Sequence, residues 1–114
     1  MPHFVIDCSS AILTMHPEEV INEQIHLVAN SAGLFDENDI KVRVNPFSTY
    51  IVGNQKQNFI HVFGNIMQGR TTEQKADLSQ RMVSKLAELF PDVDNISMNI
   101  NDFEKATYCN KKML

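Results

Sequence analysis

Residues 58–74, NFIHVFGNIMQGRTTEQ, contain a strand pattern that runs directly into the start of a helix. Apolar side chains lie on both faces of this strand, and Gly64 within it predicts a bulge or a close approach by another backbone. Thr71 and Gln74 have the spacing of a capping box, which starts a helix. The apolar positions that follow run along one face until Pro91, which cannot continue a helix.

The segments on either side of this stretch complete two similar halves. NISMNIND at residues 95–102 alternates apolar with polar residues, as a strand does. Near the amino terminus, HFVIDC at residues 3–8 and IKVRVN at residues 40–45 are two further strand patterns. Between them His16 can cap a helix whose first residue is Pro17 and whose apolar stripe ends before Gly33. The order is therefore βαβ followed by a second βαβ.

Two βαβ units side by side predict a four-stranded sheet with both helices on one face, an α/β fold of the two-layer α+β type. A chain of 114 residues is expected to form one domain, residues 1–114. The opposite face of the sheet has no cover. The third strand would place one of two apolar rows there, consisting of Phe59, Phe63 and Met67 or of Ile60, Val62 and Ile66. Because a monomer would expose one row, we expect a homo-oligomer.

Composition excludes several classes of function. The net charge of −4 argues against a nucleic-acid surface, which needs a clustered basic face. No segment approaches the roughly 20 apolar residues of a membrane span, and the first residues lack the features of a signal peptide. Cys8 and Cys109 have no metal-type spacing and indicate reduced thiols in a cytoplasmic protein. No residue pattern requires a metal or an organic cofactor.

Pro2 is the first residue with distinctive chemistry. Proline has no backbone N–H, so it is tolerated only at the first residue or along the edge of a strand. Aminopeptidases remove an initiator methionine when the next residue is small, and proline qualifies. Pro2 would then carry a free secondary amine, which is both a base and a nucleophile.

Three cations are the second candidate feature. Arg70 directly precedes the helix cap, where unpaired N–H groups and a partial positive charge favour a carboxylate or phosphate. Lys41 and Arg43 alternate with apolar residues, so they share one face of the second strand. Each cation also has a simpler interpretation, as a solvated loop arginine or a solvated strand face.

Four segments together resemble one known family. They are MPHFVIDCS at residues 1–9, IKVRV at 40–44, FIHVFGNIMQGRT at 59–71 and ISMNINDFEKATYCNK at 96–111. In this order and spacing the chain resembles the 5-carboxymethyl-2-hydroxymuconate isomerase family of the tautomerase superfamily. The resemblance implies a homotrimer with a tautomerase-like fold.

The resemblance also implies roles for the candidate residues. Pro2 matches the catalytic base, and Arg70 matches an arginine that holds a carboxylate or polarises the keto group. Arg43 or its neighbour Lys41 matches a second cation of the site, and lysine lacks the bidentate fork of arginine. A free α-amine has a pKa of about 7.7 to 8.0, and both an apolar pocket and nearby cations lower that pKa. The proline can therefore be a neutral base at cytoplasmic pH.

The implied function is an isomerase that moves a proton in a small unsaturated 2-hydroxy or 2-oxo dicarboxylate such as 5-carboxymethyl-2-hydroxymuconate. Two alternatives stay open, a non-catalytic trimeric binding protein and a promiscuous tautomerase of phenylpyruvate-like enols. His61 is interpreted as a packed or interface residue. His3, on the strand face opposite to Pro2, receives no role in proton transfer. The tail from Glu104 onward is expected to need a partner surface, over its own site or a neighbouring one.

Overall fold

Four strands form one sheet, and two long helices cover one of its faces, in the computed structural model, which describes residues 1–114. In chain order the elements are β1 (His3–Ser9), α1 (Ile12–Met15), α2 (Glu18–Ser31), β2 (Lys41–Phe47), β3 (Phe59–Met67), α3 (Thr72–Leu89) and β4 (Asn95–Phe103). Short 3-10 turns lie at Glu37–Asp39, Lys105–Thr107 and Lys111–Met113. The four strands and both long helices were expected from the sequence, whereas α1 and the 3-10 turns were not.

The strand order is β2-β1-β3-β4. β2 pairs parallel with β1, and β4 pairs parallel with β3, while β1 and β3 are antiparallel neighbours. Each parallel pair is therefore one βαβ unit, with α2 packed on β2 and α3 packed on β4. This topology confirms the predicted fold.

The core lies between the sheet and the two helices. Even-numbered side chains of β1 and β3 point into it, and they pack against apolar residues of α2 and α3. Its fully buried members include Phe4, Ile6, Ile60, Val62, Ile66, Ile21, Ile25, Leu78, Met82 and Leu86. The helix-facing row of β3 is thus the one with Ile60, Val62 and Ile66.

The other row of β3, which includes Phe59, Phe63 and Met67, lies on the open face as expected, and its side chains are half-buried in the single chain. Aromatic contacts within the chain account for part of this burial. The ring of Phe63 lies 4.4 Å from the His61 ring, and the ring of Phe59 lies 5.1 Å from the Tyr50 ring, both at steep angles. These edge-to-face contacts shield the row without a second chain.

Two local predictions were wrong. Pro17 is the N-cap of α2 and not its first helical residue, because its ψ of 156° is extended. His16 is not the cap; its Nε2 lies 3.0 Å from the Leu89 carbonyl oxygen, and its ring packs 5.1 Å from that of Phe90.

Gly64 does not form a bulge, since strand pairing continues through it on both sides. A Cβ at this position would lie 2.8 Å from Met98 Cε and 3.4 Å from Phe4 Cε1. Side chains, and not another backbone, therefore make the close approach that the sequence predicted.

The carboxyl-terminal tail follows β4 and contains two 3-10 turns, Lys105–Thr107 and Lys111–Met113. Gln68 Oε1 accepts a 2.5 Å hydrogen bond from the Lys105 backbone N–H, and the Tyr108 ring lies 5.9 Å from the Phe103 ring. Met113 and Leu114 are 62% and 95% exposed, so the apolar end of the tail has no cover in one chain. None of the helices is both long enough and apolar enough to cross a membrane.

Candidate active site

The start of the chain lies beside the start of β2. Pro2 is buried, and its carbonyl oxygen accepts a 3.1 Å hydrogen bond from the Lys41 backbone N–H. β1 begins at the next residue, His3, so the missing N–H of Pro2 breaks no ladder.

The α-amine at the chain start lies in an environment that disfavours its charge. Burial is the main cause that lowers the pKa of the Met1 amine from its ordinary value of 8.0, and Arg70 and Lys41 lower the pKa further. The Asp39 carboxylate acts in the opposite direction. Two of the cations singled out in the sequence therefore act on the chain start, whereas Asp39 was missed.

Arg70 is held by neutral groups. Its Nη2 donates a 2.6 Å hydrogen bond to the Leu34 carbonyl oxygen and its Nη1 a 3.2 Å bond to the Met67 carbonyl oxygen. The guanidinium carbon also lies 5.1 Å from the centroid of the Phe35 ring. A guanidinium carries five N–H donors, so donors remain for a ligand.

The start of α3 differs from the expectation of open N–H groups. Thr71 Oγ1 accepts a 3.1 Å hydrogen bond from the Gln74 backbone N–H, and Gln74 Oε1 accepts a 2.9 Å bond from the Thr71 backbone N–H. This capping box was predicted, and it occupies two backbone donors near the start of the helix. The capping box therefore removes two of the donors that the sequence had offered to an anion.

Lys41 and Arg43 share the open face of the sheet but point to different partners. Lys41 Nζ donates a 2.8 Å hydrogen bond to the Asp39 carbonyl oxygen. Arg43 Nη1 donates a 3.1 Å bond to Nδ1 of His3. Arg43 is not among the charges that act on the Met1 amine, whereas Arg70 and Lys41 are. Arg43 lies beside His3 instead.

These cations differ from the paired cations elsewhere on the surface. Lys75, Arg81 and Lys85 each form an ion pair with a carboxylate, at 3.1, 2.8 and 3.5 Å. In contrast, the side chains of the three site cations are hydrogen-bonded to neutral acceptors. Their directions are fixed while their charges stay uncompensated by an ion pair, which suits the binding of an anion.

Sequence reasoning gave His3 no role and missed Phe35, although His3 contacts Arg43 and Phe35 contacts Arg70. Burial is the main cause that lowers the pKa of His3 from its ordinary value of 6.5, and Arg43, Lys41 and the terminal amine add to it. His3 and Lys41 are opposite partners in the parallel β1 and β2 pair. The odd-numbered positions of both strands share a face, but a sequence read without this register does not bring them together.

The site is open in a single chain. The two concavities of the surface, of about 510 and 310 Å³, lie between α2 and α3 and beside residues 92–95, and neither includes Pro2 or the site cations. No group of three or more His, Cys, Asp or Glu side chains is placed to hold a metal ion. Burial raises the pKa of the Cys8 thiol to about 11, so this core residue is a poor nucleophile.

A sheet of two βαβ units, with Arg70 and Lys41 near the start of the chain, defines a small α+β protein of the tautomerase-like class. The chain belongs to the 5-carboxymethyl-2-hydroxymuconate isomerase family, whose model matches residues 2–113. Comparison with curated proteins finds no match.

Solved structures share this fold at low sequence identity. A 5-carboxymethyl-2-hydroxymuconate isomerase from Deinococcus radiodurans R1 has a TM-score of 0.84 and 18% identity, with 96% of this chain and 88% of that chain covered. A 5-carboxymethyl-2-hydroxymuconate delta-isomerase has a TM-score of 0.81 and 12% identity, with 97% and 87% covered. A fused 4-OT that forms an asymmetric trimer has a TM-score of 0.79 and 9% identity, with 96% and 92% covered.

Proposed function

We propose that this protein is an isomerase that moves a proton within a small unsaturated 2-hydroxy or 2-oxo dicarboxylate, such as 5-carboxymethyl-2-hydroxymuconate. The observation that carries the proposal is the setting of the chain start: Pro2 is buried and bonded to the Lys41 backbone, and burial, Arg70 and Lys41 lower the pKa of the adjoining Met1 amine. Membership of the isomerase family supports the reaction class. The uncompensated cations support an anionic substrate.

Pro2 is the proposed base. After removal of Met1 the free amine belongs to Pro2, one residue further into the fold, and this residue is buried. Desolvation and nearby cations disfavour a protonated amine, so the pyrrolidine nitrogen would be neutral near pH 7. A neutral amine of this kind is suited to general-base catalysis.

The proposed reaction is a proton transfer in two steps. The neutral Pro2 nitrogen takes a proton from the substrate, which leaves a dienolate with negative charge on its 2-oxygen and an ammonium on the protein. The ammonium then returns the proton to a carbon of the conjugated chain, which gives the isomer and regenerates the neutral amine. Arg70 and Lys41 are proposed to stabilise the charge on the oxygen, and Arg43 to bind a carboxylate.

The proposed assembly is a homotrimer. β2 and β4 are the two edges of the open sheet, so each has one side without a strand partner. A head-to-tail ring brings one edge of each chain to the other edge of the next. Such a ring would also help to enclose a site that is open in one chain, and the fused 4-OT with this fold is a trimer.

Comparison of processed protein with protein that retains Met1 tests the base. Retained Met1 turns the Pro2 nitrogen into an amide, which is not a base. We expect isomerisation of 5-carboxymethyl-2-hydroxymuconate only with processed protein, as established by mass spectrometry. Treatment of the retained form with methionine aminopeptidase should restore activity, which controls for misfolding. Equal rates before and after treatment would contradict the role of Pro2.

The same preparations separate the alternative functions. Turnover of phenylpyruvate enol with no turnover of the diacid would favour the promiscuous tautomerase. Tight binding of the diacid to processed protein, without any turnover, would favour the non-catalytic binding protein.

A further inference from the structure

His3 and Arg43 form a pair on the open face of the sheet. Arg43 Nη1 donates a 3.1 Å hydrogen bond to His3 Nδ1 across the β1 and β2 boundary. We propose that His3 is a positioning residue, whose neutral ring aims the Arg43 guanidinium at an anionic substrate and leaves the charge of Arg43 uncompensated. The inference rests on the proposed function, in which Arg43 binds a substrate carboxylate.

The hydrogen bond fixes the chemical form of the histidine. A guanidinium has only donors and does not deprotonate in proteins, so the bond requires Nδ1 to be the acceptor. The ring is then neutral and its proton lies on Nε2. Protonation of Nδ1 would replace this acceptor with a donor and abolish the bond.

The surroundings of His3 favour the neutral form. From β2 it faces Arg43 and Lys41, and from the chain start it faces the terminal amine, all of which are cationic. Its partner on β3 is Asn65, which carries no charge. No carboxylate contributes to the lowered pKa of His3, which follows from burial first and from these cations second.

Aromatic contacts fix the plane of the ring. Phe103 at the end of β4 meets the His3 ring at 89°, with the centroids 6.2 Å apart. The Tyr108 ring of the tail packs in turn against Phe103, with the two ring centroids 5.9 Å apart. The ring is therefore supported from the opposite edge of the sheet while its Nδ1 faces Arg43.

A neutral acceptor has an advantage over a carboxylate at this position. Asp77 holds Arg81 at 2.8 Å, but its carboxylate carries the opposite charge. An imidazole restricts the guanidinium in a similar way, but the full positive charge remains for a substrate. This combination raises affinity for an anion because less side-chain freedom is lost on binding.

Three variants test the role in catalysis. His3→Phe keeps a ring against Phe103 and removes the acceptor, whereas His3→Gln keeps an acceptor oxygen. We expect His3→Phe to raise KM for the diacid about three- to tenfold with little change in kcat, and His3→Gln to recover part of the loss. His26→Phe, which removes a partly buried histidine paired with Glu37 on the helical side, is the control and should leave KM unchanged.

A double-mutant cycle assigns the effect to Arg43. In an Arg43→Met background, His3→Phe should raise KM no further, because the guanidinium that it positions is gone. Independent effects of the two substitutions would overturn the proposal, as would an unchanged KM in His3→Phe.

Nitrogen-15 NMR of the histidine rings separates this inference from the proposed function. It should show His3 as the Nε2–H tautomer, and Arg43→Met should raise the pKa of His3 because one nearby cation is lost. A proton on Nδ1 near neutral pH would overturn the inference even in an active enzyme. If the protein turns over no diacid, the proposed function fails, while the tautomer and its dependence on Arg43 still decide the pairing.

Discussion

The guanidinium of Arg70 lies over the ring of Phe35, with its central carbon 5.1 Å from the ring centroid. The same guanidinium donates a 2.6 Å hydrogen bond to the carbonyl of Leu34, the residue before Phe35. Phe35 in turn meets the core residue Phe4 edge to face, with centroids 5.9 Å apart. The direction of Arg70 is therefore set by the segment after α2 and, through Phe35, by the core.

Removal of the Phe35 ring should leave the Arg70 guanidinium less well oriented for a substrate. We expect Phe35→Leu to raise KM for the diacid about two- to fivefold, since a cation–π contact at a partly exposed site is worth about 0.5 to 1 kcal/mol. Phe35→Tyr retains the ring face and serves as the control. Steady-state kinetics with both variants, at a temperature where circular dichroism shows both folded, measures the effect. An identical KM in the two variants would argue against a role for the ring.

Arg70→Lys should weaken substrate binding although the charge is kept. Lysine lacks the planar fork that donates hydrogen bonds to both the Leu34 and the Met67 carbonyl oxygens. It also lacks the flat surface that stacks on the Phe35 ring. We expect KM to rise at least tenfold, in line with loss of a charge-assisted contact of about 1.5 to 3 kcal/mol. Arg81→Lys, which makes the same change at a surface ion pair on α3, is the matched control and should leave KM unaltered. Similar kinetics for both variants would exclude a specific role for the Arg70 fork.

Gly64→Ala tests the packing beneath the sheet. The new methyl group would lie 2.8 Å from Met98 Cε, so the flexible end of Met98 must move. We expect a loss of about 1 kcal/mol in the free energy of unfolding, measured in urea. In Met98→Val the clashing atom is absent, so the two substitutions together should cost less than the sum of their separate effects. Strict additivity would mean that the Met98 contact is not the source of the strain.

The pattern of the sequence was sufficient for the elements that depend on local spacing. Alternation in residues 40–45 and 95–102 predicts strands, and Thr71 with Gln74 predicts the start of α3, because these signals lie within a few residues of each other. The contact between His3 and Arg43 spans 40 residues and depends on the parallel register of β1 and β2. No local pattern encodes that register.

The same reason explains why other parts of the site were missed. Phe35 lies beneath Arg70 only because the segment after α2 returns to the end of β3. Gly64 was recognised as unusual, but its neighbours Met98 and Phe4 come from two different strands. The sequence singled out three cations as candidates but not Asp39, and tertiary packing decides which groups hold those cations in place.

The proposed trimer should be visible in the mass of the protein and in its stability. Sedimentation equilibrium is expected to give three times the 13.0 kDa mass of the chain at micromolar concentration. The melting temperature should rise with protein concentration, because association stabilises the folded chain by mass action. A mass of 13.0 kDa together with a constant melting temperature would refute the assembly.

Activity should depend on pH through the terminal amine, and the neighbouring charges predict the sign of each change. The active form is the neutral amine, so kcat/KM should rise with pH. Burial lowers the pKa of the Met1 amine from its ordinary value of 8.0, and we expect the same environment to hold the pKa of the neighbouring Pro2 amine below that value after processing. Lys41→Met removes a cation that lowers this pKa and should move the midpoint up. Asp39→Asn removes a carboxylate that raises it and should move the midpoint down. The pH profiles of processed wild type and both variants, measured with the diacid, provide the check. Lys75→Met provides a control, because Lys75 is paired with Asp102 and is not among the charges that act on the amine. Shifts of both midpoints in the same direction, or a profile that falls as pH rises, would exclude the terminal amine as the base.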